Sequence, residues 1–160
     1  MIPALLPLFE WCEASWLGQL IRTSVWLFPV IESVHLLGLC ALGGAVLLVD
    51  LRMLGLGLTN QPIPPLAAAV HPWLVRSLVL LAATGIPLFM SEAVKCFHNP
   101  SFWVKITTLP VAVLFAVTIR RRVAAGAGSG TTPLTRLTAA MSILLWFTVA
   151  AAGRWIGFSS

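Results

Sequence analysis

The sequence predicts an all-α integral membrane protein, a four-helix bundle with an amphipathic N-terminal helix lying in the interface. Three observations lead there. First, 59% of the 160 residues are hydrophobic and only 9% are charged, with a mean hydropathy of +0.96. Ten basic and five acidic side chains cannot clothe a soluble domain of this size. Second, four apolar runs approach or exceed the roughly 18 residues that mark a membrane span. Third, the connections between these runs are short and carry Pro, Gly and Asn breakers. No internal repeat or second domain is evident, so residues 1–160 read as one transmembrane domain.

The N-terminal helix is predicted over residues 5–22. Phe9, Cys12, Trp16 and Leu20 recur at helical spacing, with Glu10, Glu13 and Gln19 elsewhere on the wheel and Pro3 and Pro7 at the entrance. That pattern suits a helix lying along the interface. A signal peptide is not expected, because Glu10 and Glu13 occupy the place of a basic start and an unbroken apolar stretch. The four spans follow at residues 25–50, 66–91, 103–120 and 137–158. The first is interrupted by Glu32, Ser33 and His35, the second by His71, Arg76 and Ser77, the third by Lys105 and the fourth by Arg154.

The loop between spans three and four holds Arg120, Arg121 and Arg122, with Arg136 just beyond. The positive-inside rule makes this loop cytoplasmic, which places both termini on the outer side of the membrane. Between two spans, topology and anionic lipid explain the basic run better than nucleic acid does. His35, Lys105 and Arg154 then lie in the outer half, along with Glu32 and His98. His71 and Arg76 enter from the inner side. Asp50 and Arg52 end the first span as an interface pair or as headgroup-binding residues, with Arg76 also within reach of Asp50. Cys40 reads as a buried packing residue. Cys12 and Cys96 share the outer side, where a disulfide is permitted but the sequence does not fix one.

An ionisable group inside a span is a functional hypothesis by default, since lipid burial costs a few kcal/mol or more. His35 stands in a stripe with Glu32, Gly38, Leu42 and Ala45, and a glycine one turn beyond a histidine leaves room for a flat ligand. Neutral imidazole inside a helix bundle is a haem-iron ligand in membrane b-type cytochromes. The plainer reading is a histidine bonded to a neighbouring helix as polar glue. Lys105 and Arg154 lie at a depth suited to the two propionates of a haem, although snorkelling to lipid phosphate would place them equally well. His71 is a candidate second axial ligand, or else an interfacial residue ahead of Pro72 and Trp73; the loop residue His98, Lys105 and a five-coordinate haem also stay open. No glycine-rich phosphate loop, HExxH, CxxC or GxSxG motif is present.

The segments IESVHLLGLCALGGAVLLVDLRMLG, TGIPLFMSEA, NPSFWVKITTLPVAVLF and SILLWFTVAAAGRWIGF resemble an uncharacterised family of small four-helix bacterial inner-membrane proteins. More distantly they are similar to HemJ-type protoporphyrinogen oxidases and CopD-like membrane proteins. His35, Arg52 and Lys105 within FWVK occupy places like those of the HemJ-type motifs. Glu32 stands where those proteins carry a lysine, and their histidine after the arginine is missing here. The resemblance implies haem near His35 rather than porphyrinogen oxidation. The expectation is therefore a haem b protein, embedded in the lipid bilayer. It would pass electrons between a larger membrane or periplasmic redox complex and quinone or another haem. A cofactor-free accessory or assembly subunit of a larger membrane complex is the alternative. A small metal transporter is disfavoured by the lack of paired Met and His on facing span positions.

Overall fold

The computed structural model describes residues 3–128 and 130–158, so Ser129 of the glycine-rich loop lies outside the described residues. Among these residues every regular element is helical, with no strand. Helices α1 (Leu6–Ala14) and α2 (Trp16–Thr23) precede the long helices α3 (Leu27–Leu54) and α4 (Ile63–Ser91). A short α5 (Ala93–His98) leads into α6 (Pro100–Phe115), which continues through a π-helical turn at Ala116–Arg120 into α7 (Arg121–Gly126). Helix α8 (Pro133–Ile156) closes the chain. Four units are long and apolar enough to cross a membrane: α3, α4, α8 and the continuous run Pro100–Gly126. The protein is a multi-pass membrane protein.

Each span extends past the apolar run that announced it. Prolines open α4, α6 and α8 in the first turn, where a missing N–H costs nothing and the fixed φ suits a helix. Such openings carry little apolar signal, so hydropathy alone places the boundaries three or four residues inward. Gly55, at φ +81, ends α3 in the left-handed conformation, the usual glycine stop. Thr132 begins α8 with a reciprocal capping arrangement, its hydroxyl accepting from the Thr135 N–H while Thr135 accepts from the Thr132 N–H.

The spans form a ring in which α3 packs on both α4 and α8, and α6 packs on α8. The α4–α6 seam closes only at one end, where α7 reaches α4. The central core joins Leu42, Ala45 and Val46 of α3 with Leu74 of α4, Ala112 and Ala116 of the third span, and Trp146 and Val149 of α8. Outward faces carry large apolar residues such as Leu37, Val79, Leu114 and Phe147, as a lipid-facing surface requires. Cys40, expected as a buried packing residue, lies exposed on that surface. It falls outside the stripe of Gly38, Leu42, Ala45 and Val49 by which α3 faces the bundle.

The N-terminal segment is two helices instead of one. Ser15 breaks it, its hydroxyl accepting from the Gly18 N–H to cap α2. The break rotates the expected stripe apart: Phe9 is buried and Trp16 exposed, while Gly18 and Ile21 are the buried residues of α2. Phe9 sits among the rings of Phe89, Phe97, Phe102 and Trp103 at 5.2–6.0 Å. Glu13 accepts from the Val94 N–H at 2.7 Å, holding the start of α5, and pairs with Arg22. Gly18 is required for the close approach, because a Cβ there would stand 2.6 Å from the Met90 carbonyl oxygen. The segment is thus a docked cap over one end of the bundle.

Candidate functional site: an imidazole and an ammonium beneath the cap

His35 projects from α3 toward α4, where its Nδ1 lies 2.8 Å from the Thr84 hydroxyl oxygen. That hydroxyl donates its own hydrogen to the Leu80 carbonyl at 2.7 Å, so it serves as acceptor toward the imidazole. The relay puts the ring hydrogen on Nδ1 and leaves a lone pair on Nε2, which has no hydrogen-bond partner among the described residues. Gly85, the next residue, admits the ring: a Cβ there would stand 3.2 Å from the imidazole Cε1.

Lys105 enters the same region from α6. It is partly buried, and a Cβ on Gly153 of α8 would stand 3.3 Å from its Nζ. Its ammonium makes no hydrogen bond or ion pair among the described residues. Its charge acts on His35 and on the Cys96 thiol. Cys96 lies outside the spans, and its thiol is pushed up to about 11, first by burial and then by the Glu92 carboxylate. Cys12 and Cys96 pack into one apolar cluster with Phe9 and Phe97, and both are free thiols.

Other sequence candidates fall elsewhere. Arg154 is exposed and lies over the Phe158 ring at 4.3 Å, a cation–π contact. Its neighbour Gly153, not Arg154 itself, meets Lys105. Glu32 and His98 are exposed at the capped end. His71 is not brought to His35. On α4, His71 lies about 20 Å along the axis from Thr84, the partner of His35, at 1.5 Å per residue. Its neighbours are Arg120 and Arg121 at the opposite end of the bundle.

At that opposite end Asp50 is paired with Arg120, where Arg52 or Arg76 was the expected partner. Arg120 donates from Nε to Asp50 Oδ1 at 2.6 Å and from Nη2 to the Val46 carbonyl at 3.1 Å. Both side chains are almost fully buried, Asp50 at 0% and Arg120 at 8% exposure. The π-helical turn explains the geometry, because its extra residue rotates the downstream helix by about 100° relative to a continuous α-helix. Arg120 is thereby turned inward while Arg121 and Arg122 stay exposed. Arg52 uses its Nε to bond the Gln61 carbonyl of the following loop. The buried Asp50 Oδ2, Ser142 Oγ and Trp146 Nε1 have no hydrogen-bond partner among the described residues.

A family of unknown function, DUF6644, matches residues 8–159. The chain belongs to DUF6644. The match takes in the cap and all four spans, so the His35–Lys105 region and the Asp50–Arg120 pair both lie within what the DUF6644 profile describes. No curated protein and no solved structure matches the chain. No named relative therefore supports the likeness to HemJ-type and CopD-like proteins. The described residues of this DUF6644 chain contain no group of three or more His, Cys, Asp or Glu able to hold a bare metal ion.

Proposed function

We propose that the protein is a b-type haem protein of the bacterial inner membrane, passing electrons between a partner redox subunit and quinone or another haem. The observation that carries this reading is the His35–Thr84–Leu80 relay, which fixes the tautomer and leaves the Nε2 lone pair open. Histidine ligands to metals characteristically have the other ring nitrogen bound in this way. Two groups would hold it: His35 Nε2 would bind its iron, and the Lys105 ammonium, without a hydrogen bond or ion pair among the described residues, would pair with a propionate. A haem in this place would supply a one-electron couple, its potential set by axial ligation and by burial. The chain's own contribution is orientation of the imidazole by Thr84, charge from Lys105, and exclusion of water by the aromatic cap above.

The test compares haem content, as haem per polypeptide, in the parent, His35→Ala, Thr84→Val and His71→Ala. Haem is expected to be lost in His35→Ala, weakened in Thr84→Val and retained in His71→Ala. Equal haem content in His35→Ala and the parent would overturn the proposal.

One observation favours a second reading. The His35–Thr84 bond itself ties α3 to α4, and a cofactor-free accessory subunit would use it in that way alone. That reading expects a colourless protein that co-purifies with a larger complex and in which His35→Gln is tolerated.

A further inference from the structure

The open seam between α4 and α6 ends in a cavity of about 310 Å³ that the redox reading does not use. Its polar wall is His71, Arg120 and Arg121, and its apolar wall includes Ala67, Leu74 and Ala116. Arg120 has committed Nε to Asp50 and Nη2 to Val46, and no hydrogen bond among the described residues engages its Nη1. Arg121 and His71 also lack hydrogen-bond partners among the described residues. The cavity therefore presents cationic and donor groups, and the acidic residue beside them, Asp50, is already paired with Arg120.

The distribution of charge sharpens the point. Of the five acidic residues, Glu10, Glu13, Glu32 and Glu92 belong to the capped end or its approach, and Asp50 alone lies at this one. Arg52, Arg120, Arg121, Arg122 and Arg136 cluster here. Depth agrees as well. With the outer boundary near the start of α3, a hydrocarbon core of about 30 Å ends after roughly 20 residues of helix, just before Asp50. The His71–Arg120–Arg121 wall then stands at headgroup level, and the alanine-lined seam runs from it into the hydrocarbon. One water needs about 10–15 Å³ of such space, so the cavity has room for a phosphate and its glycerol.

We infer that this cavity is a binding site for the phosphate headgroup of an anionic phospholipid, with an acyl chain lying along the α4–α6 seam. The charge of the wall selects the headgroup, and the small side chains of Ala67 and Ala116 admit the chain. Arg120 couples the lipid to the buried core, since one guanidinium holds Asp50 on one side and faces the headgroup on the other. This site stands apart from the haem reading and does not depend on it.

The experiment is native mass spectrometry of the delipidated full chain in detergent, titrated with phosphatidylglycerol, phosphatidylcholine or inorganic phosphate. One phosphatidylglycerol is expected to be retained at least about tenfold more tightly than phosphatidylcholine. Arg121→Gln should weaken retention about fivefold, in keeping with the effect of a single juxtamembrane charge, and His71→Leu, which removes the ring's polar nitrogens from the wall, should weaken it as well. Arg122→Gln, which removes an exposed charge outside the cavity wall, should not. Equal retention of the two lipids, or equal loss in Arg122→Gln, would reduce the site to general surface charge and overturn the inference. Competition by inorganic phosphate at the same concentration as the lipid would overturn it in favour of a free-anion site. His35→Ala should leave lipid retention unchanged, so failure here and failure of the haem proposal are distinguishable.

Discussion

Replacing Arg120 with methionine isolates the energetic role of the ion pair buried inside the bundle. Asp50 is fully buried, its Oδ2 has no partner among the described residues, and its Oδ1 depends on Arg120 Nε at 2.6 Å. Arg120→Met would strand a carboxylate in that position and free the Val46 carbonyl. Breaking a buried pair from one side costs about 3–5 kcal/mol. The double replacement Asp50→Leu with Arg120→Met removes both charges, and such apolar exchanges are often neutral or stabilising. The double variant is therefore expected within about 1–2 kcal/mol of the parent. Unfolding in mixed micelles by added SDS, followed by helicity, reads these differences as a double-mutant cycle. Arg120→Met within about 0.5 kcal/mol of the parent would show that the pair does not matter, since surface changes away from such features fall in that range. A double variant as unstable as the sum of the two singles would speak against the pairing as well.

Other consequences arise from the cap and the relay. Gly18→Val should destabilise docking of α2 by about 1–3 kcal/mol, because its Cβ would meet the Met90 carbonyl at 2.6 Å; limited proteolysis after α2 should accelerate while the four spans stay intact. Glu13→Gln should cost about 0.5–2 kcal/mol by weakening the bond to the Val94 N–H, seen as faster amide exchange at the start of α5. Cys96 should alkylate very slowly at pH 8, with a thiolate fraction of about one in a thousand for a thiol pushed up to about 11. Its rate should rise as the pH approaches 11, and rapid labelling at pH 8 would contradict its burial beneath the cap. His71→Ala should leave the thermal stability of the capped end unchanged, since it lies about 20 Å away along α4.

The spans were legible because lipid imposes a coarse, additive signal: long apolar runs interrupted by breakers such as Gly55 and Pro65. The cap was legible as a helix but not as two, because Ser15 ends one helix and caps the next through a single hydroxyl, a local competition that periodicity averages away. His35 stood out from its cost in lipid, and so did Lys105. Thr84 did not, because a threonine in a span ordinarily bonds back to its own helix, and this one does that and also receives the imidazole. Gly85 and Gly153 likewise carry no signal until the facing side chain is known. Arg120 was hidden among three consecutive arginines. Only the π-helical turn, which no composition or spacing announces, separates the buried first member from its exposed neighbours. Asp50 could be read as the end of a span, but its partner lies 70 residues away in sequence and is fixed by that turn.

The redox reading turns on what His35 Nε2 holds. It is tested by the reduced-minus-oxidised absorbance spectrum of detergent-purified protein from haem-replete cells. A haem-ligating His35 gives a reducible b-type band in the parent that is absent in His35→Ala of matching helicity. A colourless, haem-free preparation of the folded parent would contradict it.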